Sequence, residues 1–176
     1  RPVPRTIRFL GTCDEEKGGI GAREILKEVP EASIGTLLIG EPTGCRLGVA
    51  QKGCLWLEIE AHGKTSHGAY PQEGCNAVEQ AMALADEIET YVKSFTHPVL
   101  GASTAQVTQI SGGVAPNMTP DTCRILMDIR MTPGLTSQMV VGRAEAFAAA
   151  RSVTSEEKFR VSCRIVNDRR AIEIGE

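Results

Sequence analysis

The sequence has few aromatic residues, little net charge and no long apolar run. One tryptophan, two tyrosines and four phenylalanines among 176 residues leave too few rings for the base-stacking sheet that an RNA-binding module needs. A formal charge of −3, from 19 basic and 22 acidic residues without a long block of one sign, removes the electrostatic reason to expect a nucleic-acid partner. Apolar runs of only a few residues do not span a bilayer, and the basic start "RPVPRTIRF" has no apolar stretch behind it of signal-peptide length. A cytoplasmic protein with no membrane partner is expected. No C-x-x-C pair occurs among Cys13, Cys45, Cys54, Cys75, Cys123 and Cys163, so buried free thiols are expected rather than a disulfide framework. Internal repeats and low-complexity segments are also missing.

What is present is a hydrophobic content of 41%, enough for one ordinary core or two small ones. The first fifty residues read as a strand, a helix and a strand. "TIRFLG" and "TLLIG" are short apolar runs, and between them "GGIGAREILKEVP" supplies a glycine-rich start, a helical stretch and a proline stop. Both strands run into acids: the first into Asp14, Glu15 and Glu16, the second into Glu41 of "GEPTG". In an open parallel sheet the ligand site forms outside the carboxyl ends of the strands. Carboxylates gathered there repel unless a cation sits among them, so a divalent metal is expected.

From residue 54 onward the rhythm changes. "LWLEIEAH" alternates, with Leu55, Leu57, Ile59 and Ala61 on one face and Trp56, Glu58, Glu60 and His62 on the other. A helix follows with Val78, Met82, Ala85, Ile88 and Val92 in phase, its start marked by Asn76 and Glu79. Two more strands come next, "TAQVTQIS" and "TCRILMDIRM"; the second sets Cys123, Ile125, Met127 and Ile129 on one side. A helix over 137–151 aligns Val140, Ala144 and Phe147. The strand "FRVSCRIV" closes the series, with Phe159, Val161, Cys163 and Ile165 in phase. The order β-α-β-β-α-β predicts an α+β, ferredoxin-like domain: a four-stranded antiparallel sheet with two helices on one face. Gly112 and Gly113 mark a bend or a close backbone approach before its third strand. Residues 1–51 would then be a partial α/β domain, 52–165 an inserted domain, and 166–176 the return to the first. Two strands and a helix cannot cover both faces of a parallel sheet, so a piece of a longer protein is expected.

Four motifs, "TCDEEKGGIGA", "IGEPTG", "GKTSHGAYPQEGCNAV" and "SGGVAPNMTPDTCRILMDIR", stand in order along essentially the whole chain. In this the sequence resembles the two-zinc amidohydrolase and exopeptidase family that includes acetylornithine deacetylase, succinyl-diaminopimelate desuccinylase, aminoacylase and glutamate carboxypeptidase. The resemblance implies hydrolysis of an amide bond in an N-acyl amino acid or small peptide, by a water that two zinc ions activate, with cobalt or manganese as alternative metals. It implies Glu15 as general base and Glu16 as a zinc ligand, with Asp14 a supporting loop group. Glu41 would bind the other zinc. His67 would reach the active site of a neighbouring subunit and stabilise the oxyanion. Asn117 and Arg130 would hold the substrate, the guanidinium fork matching a carboxylate. A homodimer through the 52–165 domain is implied as well.

The family's remaining metal ligands come from an upstream H-x-D motif and a late histidine, and neither occurs in these 176 residues. The chain by itself is therefore expected to be inactive and without two tight zinc sites. His62 and His67, spaced H-x-x-x-x-H, offer a metal pair as an alternative, although a strand and a loop need not bring them together. His97 reads as a surface loop residue. A non-catalytic ferredoxin-like module that binds an amino acid or mediates dimerisation would also account for 52–165, but it leaves the acid-ended strands unexplained.

Overall fold

The computed structural model describes residues 6–17, 19–30, 33–154 and 159–174. The basic first five residues, Gly18 of the glycine-rich helix start and the last two residues of the expected return segment lie outside them. The chain divides into two compact units between Arg46 and Leu47.

The first unit corrects the expected strand-helix-strand layer. Its helix, α1 (Ile20–Glu28), forms where the pattern places it. "TIRFLG" and "TLLIG" do not become strands; neither has a ladder partner. A strand needs a neighbour for its backbone N–H and C=O groups, and no ladder is present among the described residues of this unit. α1 buries none of its residues, and Phe9 is 94% exposed. The acids follow a tight turn in which Asp14 takes the left-handed conformation (φ 57°), one that a short polar side chain tolerates. Its carbonyl accepts from Gly19 N at 2.9 Å.

The second unit contains the predicted α+β domain. Its strands are β1 (Ala50–Gln51), β2 (Gly53–His62), β3 (Thr96–His97), β4 (Gly101–Ala102), β5 (Thr104–Gly112), β6 (Thr122–Met131), β7 (Arg160–Arg169) and β8 (Ile172–Glu173); its helices are α2 (Ala77–Lys93) and α3 (Ser137–Thr154). Four strands make an antiparallel sheet in the order β5-β6-β2-β7. Leu55, Leu57, Ile59 and Ala61 of β2 and Cys123, Ile125, Met127 and Ile129 of β6 are buried, each set on one side of its strand as the alternation requires. They join Leu84, Ile88 and Val92 of α2 and Val140 and Ala144 of α3 in one core, so both helices cover the same face. No helix among the described residues is long and apolar enough to cross a membrane.

Asn76 caps α2: its side-chain oxygen accepts from Val78 N and Glu79 N, and its amide donates to Glu79. The buried face of α2 is turned slightly from the expected one. Ala77, Ala81, Leu84, Ala85, Ile88 and Val92 point inward, whereas Met82 is 56% exposed. It lines, with Ala81, Ala85, Asp86, Val107, Ile110 and Ile125, a shallow groove between α2 and the edge strand β5. β7 also departs from its pattern. A bulge at Val166, between the pairs Trp56–Asn167 and Leu57–Ile165, shifts the register, and Ile165 is exposed. None of the six cysteines is in a disulfide, but Cys13 and Cys45 are exposed rather than buried because the first unit builds no core around them; Cys123 is the fully buried one.

Two short ribbons were not legible beforehand. β1 pairs with β8, joining the first and last strands of this unit, and β3 pairs with β4.

Candidate functional site

Among the described residues of the first unit, the acids are all exposed. Glu15 and Glu16 open a single 3-10 turn, Glu15–Lys17. Glu41 precedes a turn in which Thr43 N donates to the Glu41 carbonyl at 2.7 Å and the Thr43 hydroxyl to that of Arg46 at 2.6 Å. A structural zinc site takes four ligands and a catalytic one three protein ligands with an open position. Glu16 and Glu41 offer two, and among the described residues no group of three or more His, Cys, Asp or Glu side chains could hold a metal ion. The residues described do not by themselves make a metal centre.

In the second unit the two loops that carry His67 and Asn117 are stitched together. Gly68 N donates to the Asn117 carbonyl at 2.8 Å, Thr119 N to the Ser66 carbonyl at 2.9 Å, and Gly63 N to the Asp121 carbonyl at 2.7 Å. The Ser66 and Thr119 hydroxyls lie 2.7 Å apart. The approach is close at Gly68, where a Cβ would stand 3.1 Å from the Asn117 carbonyl oxygen. At the base of the same end, Gly113 takes a positive φ of 83° and a Cβ on Gly112 would meet Thr122 O at 2.9 Å, as the glycine pair led one to expect. His67 Nδ1 accepts from Ala69 N at 3.1 Å. When neutral, the ring then carries its proton on Nε2, so the exposed imidazole keeps an N–H donor for a ligand. His67 and Asn117 thus share one end of the domain.

Arg130 stands at the opposite end of β6, paired in register with Cys54 and Thr104. It lies eight positions along the strand from Thr122, roughly 27 Å. That end is also where β2 begins and β7 ends, because Cys54 lies between Arg130 and Arg169. Arg130 Nε and Nη2 donate to the two oxygens of Asp128 at 2.7 and 2.9 Å, and Trp56 Nε1 donates to the same carboxylate at 3.3 Å. Asp128 and Trp56 were missed in the sequence, although strand alternation already put Asp128 on the face of Arg130, two residues away.

Elsewhere the helix-free face is a ladder of ion pairs. Hydrogen bonds from Arg164 hold the Glu58 carboxyl below its ordinary pKa, and those from Arg124 do the same for Glu60. His62 lies beside Ser162 (3.4 Å) and Glu60 (3.6 Å). His97 corrects the expectation of a loose loop residue, its side chain being only 10% exposed. Nδ1 accepts from Val99 N and Leu100 N, each at 3.2 Å, and Nε2 lies 3.0 Å from Glu173. It ties the β3–β4 ribbon to β8, a pairing across 76 positions that local pattern does not reveal.

Comparison with known proteins adds three findings. Residues 49–156 match the family model described as a peptidase dimerisation domain. A probable carboxypeptidase of Aspergillus clavatus is 34% identical over 136 residues, which is 73% of this chain and 33% of that protein. The acetylornithine deacetylase of Myxococcus xanthus is 31% identical over 173 residues, 92% of this chain and 43% of that one. Among solved structures, a tripeptidase from Staphylococcus aureus superposes with a TM-score of 0.53 over 72% of this chain and 32% of its own; at 20% identity the likeness bears on the fold alone. The chain spans less than half the length of the curated relatives it matches.

Proposed function

The chain belongs to the M20 peptidase family, whose dimerisation domain it carries, and we propose that it is part of a zinc-dependent hydrolase cleaving an amide bond beside a carboxylate-bearing amino acid. The substrates in view are N-acyl amino acids and small peptides. The observation that carries this reading is the extent of the likeness: the identity with an acetylornithine deacetylase runs over 173 residues, through both the acidic turn and the sheet. Residues 1–51 and 166–176 would belong to the catalytic domain and 52–165 to the inserted one.

Within the whole protein, Glu15 would take the proton from the attacking water, and Glu16 and Glu41 would be two of the residues that hold a pair of zinc ions. The metals supply the activation that lets water attack near neutral pH. His67 donates from Nε2 to the developing oxyanion. Asn117 and Arg130 hold the substrate, the arginine by its carboxylate. The roughly 27 Å between Arg130 and the His67 end is too long for one small substrate to touch both within one chain. It supports a site shared by two subunits, His67 and Asn117 coming from the neighbour. The groove between α2 and β5, with Met82 and Ile110 exposed and an unpaired strand edge beside it, supports a homodimer formed there.

The test is hydrolysis of acetylornithine, other N-acyl amino acids and small dipeptides by the whole protein, with and without zinc, beside a Glu15→Gln variant. Zinc-dependent turnover that falls about 10²- to 10⁴-fold in the variant is expected. Turnover unchanged by Glu15→Gln would overturn the reading.

A further inference from the structure

We propose that Asp128 is a positioning residue for substrate recognition, clamping one edge of the Arg130 guanidinium so that its other edge is presented to a ligand carboxylate. The inference rests on the assignment of Arg130 made above.

Alternation along β6 sets Asp128 and Arg130 side by side on the helix-free face. An arginine presents five N–H donors. Asp128 takes one on Nε and one on Nη2, each by its own carboxylate oxygen. Three remain, among them the outward pair on Nη1 and Nη2, which forms a second fork able to grip a carboxylate by two parallel bonds. The clamp is firmer than the neighbouring ion pairs on this face. Arg124 and Arg164 reach across strands to glutamates, whose longer stems leave the partners free to move together. Asp128 is short, lies on the same strand as its arginine and is 17% exposed against 50% for Arg130. Trp56, directly opposite in register, gives Asp128 a third donor at 3.3 Å. The carboxylate is thereby fixed on the sheet while the guanidinium tip reaches solvent. A guanidinium held in place before binding loses less freedom when the ligand arrives, and its fork meets the ligand at a set angle. Asp128 itself touches no substrate.

The experiment uses the whole enzyme and compares KM and kcat for Asp128→Asn, Arg130→Lys and the double variant, on an N-acyl amino acid and on its carboxamide-capped analogue. Asp128→Asn keeps the side chain's shape but removes its charge and turns one of its two acceptor oxygens into a donor, so at most one of the two bonds survives. KM for the carboxylate substrate should rise roughly tenfold, with kcat changed less than about threefold and the capped analogue unaffected. Added to Arg130→Lys, it should change KM by less than about twofold, because the two residues act as a unit. Trp56→Phe, which removes only the third donor, carries the test if the aspartate variant does not fold: a rise of about two- to threefold in KM supports the clamp and no change overturns it. If Arg130→Lys leaves KM for the carboxylate substrate unchanged, the assignment of Arg130 fails and the clamp with it. If Arg130→Lys raises KM while Asp128→Asn does not, or if the two effects multiply, the clamp alone is overturned.

Discussion

Replacing Ser103 by alanine removes a single oxygen atom, yet it is expected to cost this domain about 2–4 kcal/mol. Ser103 and Thr132 are both fully buried. The Ser103 hydroxyl accepts from Thr132 N at 2.9 Å and lies 2.8 Å from the Thr132 hydroxyl. Ser103 N in turn donates to the carbonyl of Phe95, behind the end of α2, at 2.8 Å. The pair thus locks the start of β5 and the end of β6 beneath the helix terminus, next to Arg130. Ser103→Ala leaves almost no cavity, so the loss comes from polar groups stranded without water. Each such group costs about 1–3 kcal/mol. One is the Thr132 backbone N–H; the other is its hydroxyl, whose remaining partner is the Phe95 carbonyl at a long 3.5 Å. Urea unfolding followed by the single tryptophan, Trp56 on β2, measures the effect. With a slope of about 2 kcal/mol/M, a loss of about 3 kcal/mol lowers the midpoint by about 1.5 M. Thr132→Val added to Ser103→Ala removes the stranded hydroxyl as well, so the double variant should cost less than the two single changes together by at least about 1 kcal/mol. A loss under about 0.5 kcal/mol, or strict additivity, would refute the argument.

Two further outcomes follow from the geometry. A Cβ on Gly63 would lie 2.0 Å from the Cys75 carbonyl oxygen and 3.0 Å from its carbon; both are backbone atoms that cannot rotate away. Gly63→Ala should therefore lower the melting temperature by about 5–10 °C, and a shift under about 2 °C would show that the His67 loop yields easily. Burial, with a smaller effect from Glu145, pushes the Cys163 thiol up to about 11, so at pH 8 only about one molecule in a thousand carries the reactive thiolate there. A disulfide reagent at that pH should modify the exposed Cys13 and Cys45 promptly, the partly buried Cys163 far more slowly, and the buried Cys123 only on unfolding; modification of Cys163 as fast as that of Cys13, located by peptide mapping, would contradict the raised thiol.

Some features were legible in the residues because they rest on local periodicity. A β-strand buries every second side chain, so Leu55, Leu57, Ile59 and Ala61 disclosed β2 and the phase of its core face. An Asn at the cap with Glu three residues on disclosed the start of α2. The order of these elements was enough for the α+β class, and four motifs were enough for the family. Periodicity says nothing about what a segment finds to pair with. "TIRFLG" and "TLLIG" have the composition of strands and form none here, because a ladder is completed by a neighbour rather than by the segment itself. Tertiary structure alone decided the rotation of α2 that exposes Met82, the burial of His97 against Glu173, and the separation of Arg130 from His67 and Asn117 by the length of a strand. Each depends on register between residues far apart in sequence. The clamp of Asp128 on Arg130 lies between the two cases: alternation put both on one face, but only the packed sheet, with Trp56 opposite, aimed one charge at the other.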